Sequence, residues 1–206
     1  MTITPVELLI YAGALAILFL TPGPVWIAIV ARALTGGFNA AWPLALGVAV
    51  GDAIWPVAAV LGVAWITSVF AGFMTVLRWV ASAIFILMGV AIIRNAGAAI
   101  STDNRLTRPG TIAGFAAGVA VILSNPKAIL FYMGVLPGFF DLTRLTRSDI
   151  IAIVVLSMIV PLFGNLFLAL LVQQIRELLT SPKALKYISR FSGVMLIGVG
   201  LIMPFI

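Results

Sequence analysis

The chain has 206 residues, 63% of them hydrophobic and 9% charged, with a mean hydropathy of +1.25. Soluble domains run nearer half apolar and a quarter charged, so the composition excludes a soluble protein and points to an integral membrane protein. It contains no cysteine or histidine, which excludes disulfides, thiol catalysis and thiolate or imidazole metal sites; the formal net charge of +6 comes from Lys and Arg in short loops between apolar runs, a placement that suits lipid headgroups and topology control rather than nucleic acid.

A membrane-spanning helix needs about 20 mainly apolar residues. Six runs qualify: Val6–Ala31, Ala41–Trp65, Leu77–Ile93, Ile112–Leu136, Ile150–Val172 and Phe191–Ile206. The first lacks a basic leader, since Glu7 is the only charge before Arg32, and it is read as a retained helix rather than a cleaved signal. It is broken late by Thr21-Pro22-Gly23-Pro24. Gly36-Gly37-Phe38-Asn39 separates runs one and two, and Gly47 and Gly51 in run two form a small-xxx-small pair suited to close helix packing. The stretch 101–110 is the most polar and divides the chain near its middle. Run four is broken by Ser124-Asn125-Pro126-Lys127. The segment from Arg176 to Arg190 is expected to lie on the membrane surface as an amphipathic helix before run six. Trp42, Trp65, Trp79 and Tyr187 read as interface anchors, and Trp55, beside Asp52, as either an anchor or part of a ligand cage.

The two breaks occupy matching places: Pro22 and Pro126 are 104 residues apart (126 − 22), about half the chain. Arg78-Trp79 with Gly89-Val90 in run three is echoed by Arg190-Phe191 with Gly198-Val199 in run six. Three runs per half invert the second half in the membrane. The expected fold is therefore all-α: one polytopic domain over residues 1–206, six transmembrane helices as two inverted three-helix repeats (about 1–98 and about 110–206), with the first and fourth helices broken. Placing both termini outside puts eight Lys and Arg residues inside and three outside, which obeys the positive-inside rule.

Interrupted membrane helices survive where they line a protected polar cavity, and a pair in corresponding halves marks a transporter's substrate site. Pro22 and Pro24 release the carbonyls of Leu18 and Leu20, Pro126 that of Ile122, and Pro56 that of Asp52. Gly23 permits close backbone approach. Asp52 and Lys127 are the ionisable residues deep inside apolar runs. A charge at such depth costs at least ~2.5–3.5 kcal/mol and implies a wet cavity or a partner. The two can pair with each other in an empty site, or receive the ammonium and carboxylate of a zwitterion. Asp52 can also carry a proton. The alternative is a permanent Asp52–Lys127 pair that only joins helices. Asn125 and Asn165 are further intramembrane polar groups, able to hydrogen-bond a substrate or to bridge helices. The candidate site is thus Thr21, Pro22, Gly23, Pro24, Asp52, Asn125, Pro126, Lys127 and Asn165.

The chain resembles the LysE/RhtB family of bacterial amino acid exporters. The likeness rests on Thr21-Pro22-Gly23-Pro24, on Gly47-Val48-Ala49-Val50-Gly51-Asp52, on Leu77-Arg78-Trp79 through Gly89-Val90, and on Asn125-Pro126-Lys127-Ala128 followed by Leu136-Pro137-Gly138-Phe139. Gly138 stands where the family usually has glutamine. The resemblance implies a small multi-pass protein of the bacterial inner membrane that expels amino acids or related metabolites using the proton gradient. A single deep acid favours neutral substrates. The expected activity is secondary active export of small, neutral amino acids or derivatives, with no cofactor and no metal. The alternative is a passive channel or ion exporter of the same fold, without proton dependence. An enzyme is disfavoured by the lack of a nucleophile–base set, and a nucleotide-driven pump by the lack of a phosphate loop. A six-helix unit is small, which leaves room for a homodimer.

Overall fold

The computed structural model of the chain describes residues 2–69, 72–94, 96, 109–172, 182–202 and 205. All the regular elements among them are helical: α1 (Pro5–Leu20), α2 (Pro24–Val69), α3 (Phe73–Arg94), α4 (Thr111–Leu123), α5 (Pro126–Leu130), a π-helical segment (Phe131–Val135), α6 (Leu136–Phe139), α7 (Arg147–Leu171) and α8 (Pro182–Ile202).

Local sequence sets most of the boundaries. Thr4 and Glu7 form a reciprocal capping box at the start of α1, and Thr146 and Asp149 form another at the start of α7. The Asp149 carboxylate does more than cap. It also accepts from the backbone N–H of Thr2 (3.1 Å), the Thr2 hydroxyl (2.8 Å) and the Ile3 N–H (3.3 Å), tying the N-terminal segment to α7. α1 stops at the Thr-Pro-Gly-Pro break, and Pro24 opens α2. α2 runs 46 residues, but Gly36 and Gly37 leave helical geometry inside it, Gly37 at φ +67°. Glycine adopts that dihedral without strain. An unbroken helix of that length would reach ~69 Å, more than twice the hydrocarbon thickness. The kink therefore divides the first run from the second where the sequence predicts.

α2 packs on both α4 and α7, α1 on α7, and α3 on α8. The α2–α4 and α3–α8 seams are backbone-close. A Cβ at Gly47 would strike the Phe115 carbonyl oxygen, and one at Gly118 the Leu44 carbonyl oxygen. Gly89 and Gly193 face each other's carbonyls across α3 and α8, and the Ser82 hydroxyl donates to the Gly200 carbonyl at 2.6 Å. Small residues at helix seams are how membrane helices gain packing without a hydrophobic driving force. Large apolar side chains point outward instead: Leu9 is 73% exposed, Ile112 86% and Phe163 67%. Lipid, not water, suits such a surface.

By length and composition, Pro24–Gly62 and Arg147–Leu171 can each cross a bilayer; Thr111–Leu123 and Pro126–Phe139, bent by 50° at the break between them, pass the same test only when taken together, as one broken span or as a re-entrant pair. α1, α3 and α8 carry the other apolar runs, with 16, 22 and 21 residues. One expectation is corrected. The segment before run six is not a separate surface helix over 182–190; it is the first part of α8, continuous to Ile202. Pro182 sits where a helix tolerates proline, at its start, and no breaker follows it. The remainder of that segment, with most of the polar stretch 101–110, lies outside the described residues.

Candidate functional site

The two breaks meet. Pro22 and Pro24 deprive the end of α1 of backbone donors, and the carbonyl of Leu18 is left over as expected. The Lys127 ammonium takes it at 2.8 Å and takes the Thr21 carbonyl at 2.5 Å. Lys127 follows Pro126, the first residue of α5, and Asn125 caps that helix by accepting the Lys127 backbone N–H at 3.1 Å. Gly23 leaves room for the approach: a Cβ there would crowd Nζ at 3.3 Å. The Thr21 hydroxyl turns back to the Ile17 carbonyl at 2.9 Å. The carbonyl of Ile122, released by Pro126, accepts the indole N–H of Trp55 at 3.3 Å, so Trp55 acts as a brace between α2 and α4.

Asp52 and Lys127 do not pair. The carboxylate accepts instead from the Tyr132 hydroxyl, at 3.3 Å, while the ammonium gives two of its three N–H groups to the break carbonyls. Both are buried, as are Thr21, Asn125 and Asn165. All five line one cavity of about 40 Å³ between α1, α2, α4, α5 and α7. That is room for a few water molecules, each of which needs ~10–15 Å³ of such space. Its remaining lining is apolar and includes Phe19, Val25, Trp26, Val48 and Ile122. The Asn165 Oδ1 atom is buried there without a hydrogen-bond donor. An unsatisfied buried acceptor costs roughly 1–3 kcal/mol, and a ligand N–H or O–H would recover it. Of the remaining candidates, Gly23 packs on the Lys127 ammonium, while Pro22, Pro24 and Pro126 act through the backbone, at the break or at the first position of a helix. No group of three or more metal-ligating side chains occurs among the described residues.

Three polar residues of this region escape sequence reasoning. Tyr132 lies in the π segment and holds Asp52; Tyr11 and Ser157 share a hydrogen bond of 2.6 Å between α1 and α7. The available signal is that two of the chain's three tyrosines, Tyr11 and Tyr132, sit inside apolar runs. Arg32 is a fourth: it is 2% exposed, and its guanidinium donates to the Ala40 carbonyl (2.5 Å) and, across to the second half, to the Gly110 carbonyl (3.0 Å).

Comparison with known proteins places this architecture. The family model described as LysE type translocator matches residues 16–203. An uncharacterized membrane protein of Synechocystis sp. is 28% identical over 191 residues, covering 91% of this chain and 90% of its own. The uncharacterized membrane protein YrhP of Bacillus subtilis is 23% identical over 204 residues, covering 95% and 97%. The chemotactic transduction protein ChpE of Pseudomonas aeruginosa is 31% identical over 112 residues, covering 54% of each. No solved structure matches. With the family model spanning nearly the whole chain, the protein belongs to the LysE type translocators: it is a membrane transporter, not an enzyme.

Proposed function

We propose that the protein is a secondary active exporter of small, neutral amino acids or their derivatives across the bacterial inner membrane, coupled to protons. The observation that carries this reading is the cavity itself. It presents a carboxylate and an ammonium that do not neutralise each other, beside an asparagine oxygen that lacks a donor. A zwitterion supplies what is missing: its ammonium to Asp52 and Asn165, its carboxylate to Lys127. The apolar remainder of the lining suits an uncharged side chain. When no ammonium is bound, the buried Asp52 carboxylate is the group able to take up a proton, so substrate and proton compete for one site.

The pattern of contacts supports alternating access by two related halves. A two-fold relation exchanging helical runs one with four, two with five and three with six maps the α3–α8 seam onto itself. It also exchanges the α2–α4 seam with the α1–α7 seam; all three seams exist. Pro56 and Pro161 extend the sequence correspondence at a spacing of 105 (161 − 56), next to the 104 of the breaks. Six crossings, both termini outside and the breaks at mid-membrane complete the proposed topology.

The test is efflux from proteoliposomes loaded with labelled amino acids. An imposed pH gradient should drive efflux of neutral ones. Asp52→Asn should remove the pH-driven part, and Lys127→Ala should weaken binding. Efflux indifferent to the gradient would favour a passive channel, and native behaviour in both variants would remove the pair from the mechanism.

A further inference from the structure

Tyr132 is buried and touches two different things. Its hydroxyl donates to the Asp52 carboxylate, and its ring packs edge-on against Phe131, centroids 5.4 Å apart. Phe131 stacks on Tyr11 at 6.2 Å, and Tyr11 meets Phe140 edge-on at 5.3 Å. Phe140 in turn lines a second cavity, of about 260 Å³, beside Glu7, Asp141 and Arg144. An unbroken line of side chains therefore joins Asp52 to this polar vestibule.

Helix α1 gives the order of the layers. Glu7 lines the vestibule, Leu15 lines the central cavity, and Tyr11 lies between them on the same helical face, one turn (about 6 Å) from each. On α7 the Ser157 hydroxyl bonds Tyr11, one turn before Pro161 of the central cavity. The aromatic layer thus sits between the two cavities.

The backbone that carries Tyr132 and Phe131 has a second register available. Leu136 N–H bonds the Phe131 carbonyl five residues earlier, and Pro137 has no N–H to offer the next carbonyl. Single-turn π segments occur mostly at functional sites, and returning one to α geometry turns its side chains relative to their neighbours.

We infer that Tyr132 is a positioning residue of the transport cycle, linking the occupancy of Asp52 to an aromatic seal (Phe131, Tyr11, Phe140) between the central cavity and a vestibule at the N-terminal face. A substrate ammonium on Asp52 competes with the Tyr132 hydroxyl for Oδ1. Once released, Tyr132 no longer holds the π segment against α2, and Phe131 withdraws from Tyr11. The link between occupancy and opening rests on the Asp52 site proposed above; the seal and its hold through Tyr132 do not.

The chain lacks cysteine, so one engineered thiol reports access without background. Val48→Cys places it in the central cavity and Glu7→Cys in the vestibule. A charged, membrane-impermeant thiol reagent is applied from the N-terminal side of proteoliposomes. The Val48→Cys thiol should react slowly in the native background and about tenfold faster with Tyr132→Phe, a factor on the scale of one lost hydrogen bond. Asp52→Leu, which removes the acceptor, should accelerate it equally, and the Tyr132→Phe/Asp52→Leu combination no further. The Glu7→Cys thiol should react alike in every background. A Val48→Cys rate unchanged by both substitutions overturns the seal even if the protein exports amino acids. A rate that rises in a protein without zwitterion efflux keeps the seal and removes the substrate reading. Should Tyr132→Phe fold poorly, Phe140→Ala opens the same layer and must accelerate labelling if the seal exists.

Discussion

Lys127 of α5 reaches the carbonyl oxygen of Leu18, 2.8 Å away in α1, so the break in the second half completes the break in the first. Two opposing effects decide what this contact is worth. Removing the ammonium strips donors from two carbonyls, at ~1–3 kcal/mol each, but it also relieves a desolvated charge whose burial costs several kcal/mol. Lys127→Met should therefore leave the melting temperature of the purified protein within a few degrees of native, given ~2–4 °C per kcal/mol at this size, while weakening substrate binding as Lys127→Ala does. A much larger fall would make Lys127 a structural staple and withdraw it from the substrate site.

Asn165 gives the converse case. Its Oδ1 is buried without a donor, in a side chain that lines the cavity, so the folded state gains no hydrogen bond from that oxygen. Asn165→Leu should keep or raise thermal stability, by up to about 1 kcal/mol, and weaken substrate binding about tenfold or more. A stability loss without change in affinity, read by melting and by equilibrium binding on the same preparation, would show that the amide serves packing alone.

Arg32 clamps the two halves through the Ala40 and Gly110 carbonyls, and a Cβ at Gly114 would meet its guanidinium. The planar fork serves two acceptors at once, which a lysine ammonium on a different stem does not reproduce. Arg32→Lys should cost about 2 kcal/mol, read as a melting temperature lower by ~4–8 °C, with the residual efflux per folded molecule unchanged.

What could be read from the chain followed from chemistry that acts locally. Proline removes a donor wherever it stands, so the breaks at Pro22 and Pro126 and the spare carbonyl of Leu18 were legible, and deep charges must find a polar neighbourhood, so Asp52 and Lys127 were as well. Their partners were not legible, because no spacing rule says that Lys127 bonds the opposite break rather than Asp52. Tyr132 was hidden for a related reason: a π segment shifts register by one residue, and apolar periodicity in a run that faces both lipid and protein does not reveal it. Arg32 reads as an ordinary loop cation until Gly110, 78 residues later, is seen beside it. A helix over the charged segment before run six was expected, but its continuity into that run was obscured by the charges, which suit a membrane surface and a helix end equally well.

The glycine seams offer a paired test of the fold itself. At Gly47 an added Cβ would collide with the Phe115 carbonyl oxygen of α4, which is backbone and cannot swing aside. α2 and α4 would have to separate along a seam that also includes Gly118 against Leu44. At Gly13 in α1 an added Cβ meets nothing within 4 Å. Gly13→Ala should therefore be neutral or stabilising by up to about 1 kcal/mol, because alanine is the better helix former. Gly47→Ala should instead destabilise by several kcal/mol, as overpacking against a fixed neighbour does, and reduce the yield of folded protein from membranes. Melting temperatures and monodisperse yield of the two variants in one detergent check the contrast. Equal behaviour would mean that α2 and α4 do not meet at Gly47, which would also dissolve the cavity that their contact helps enclose.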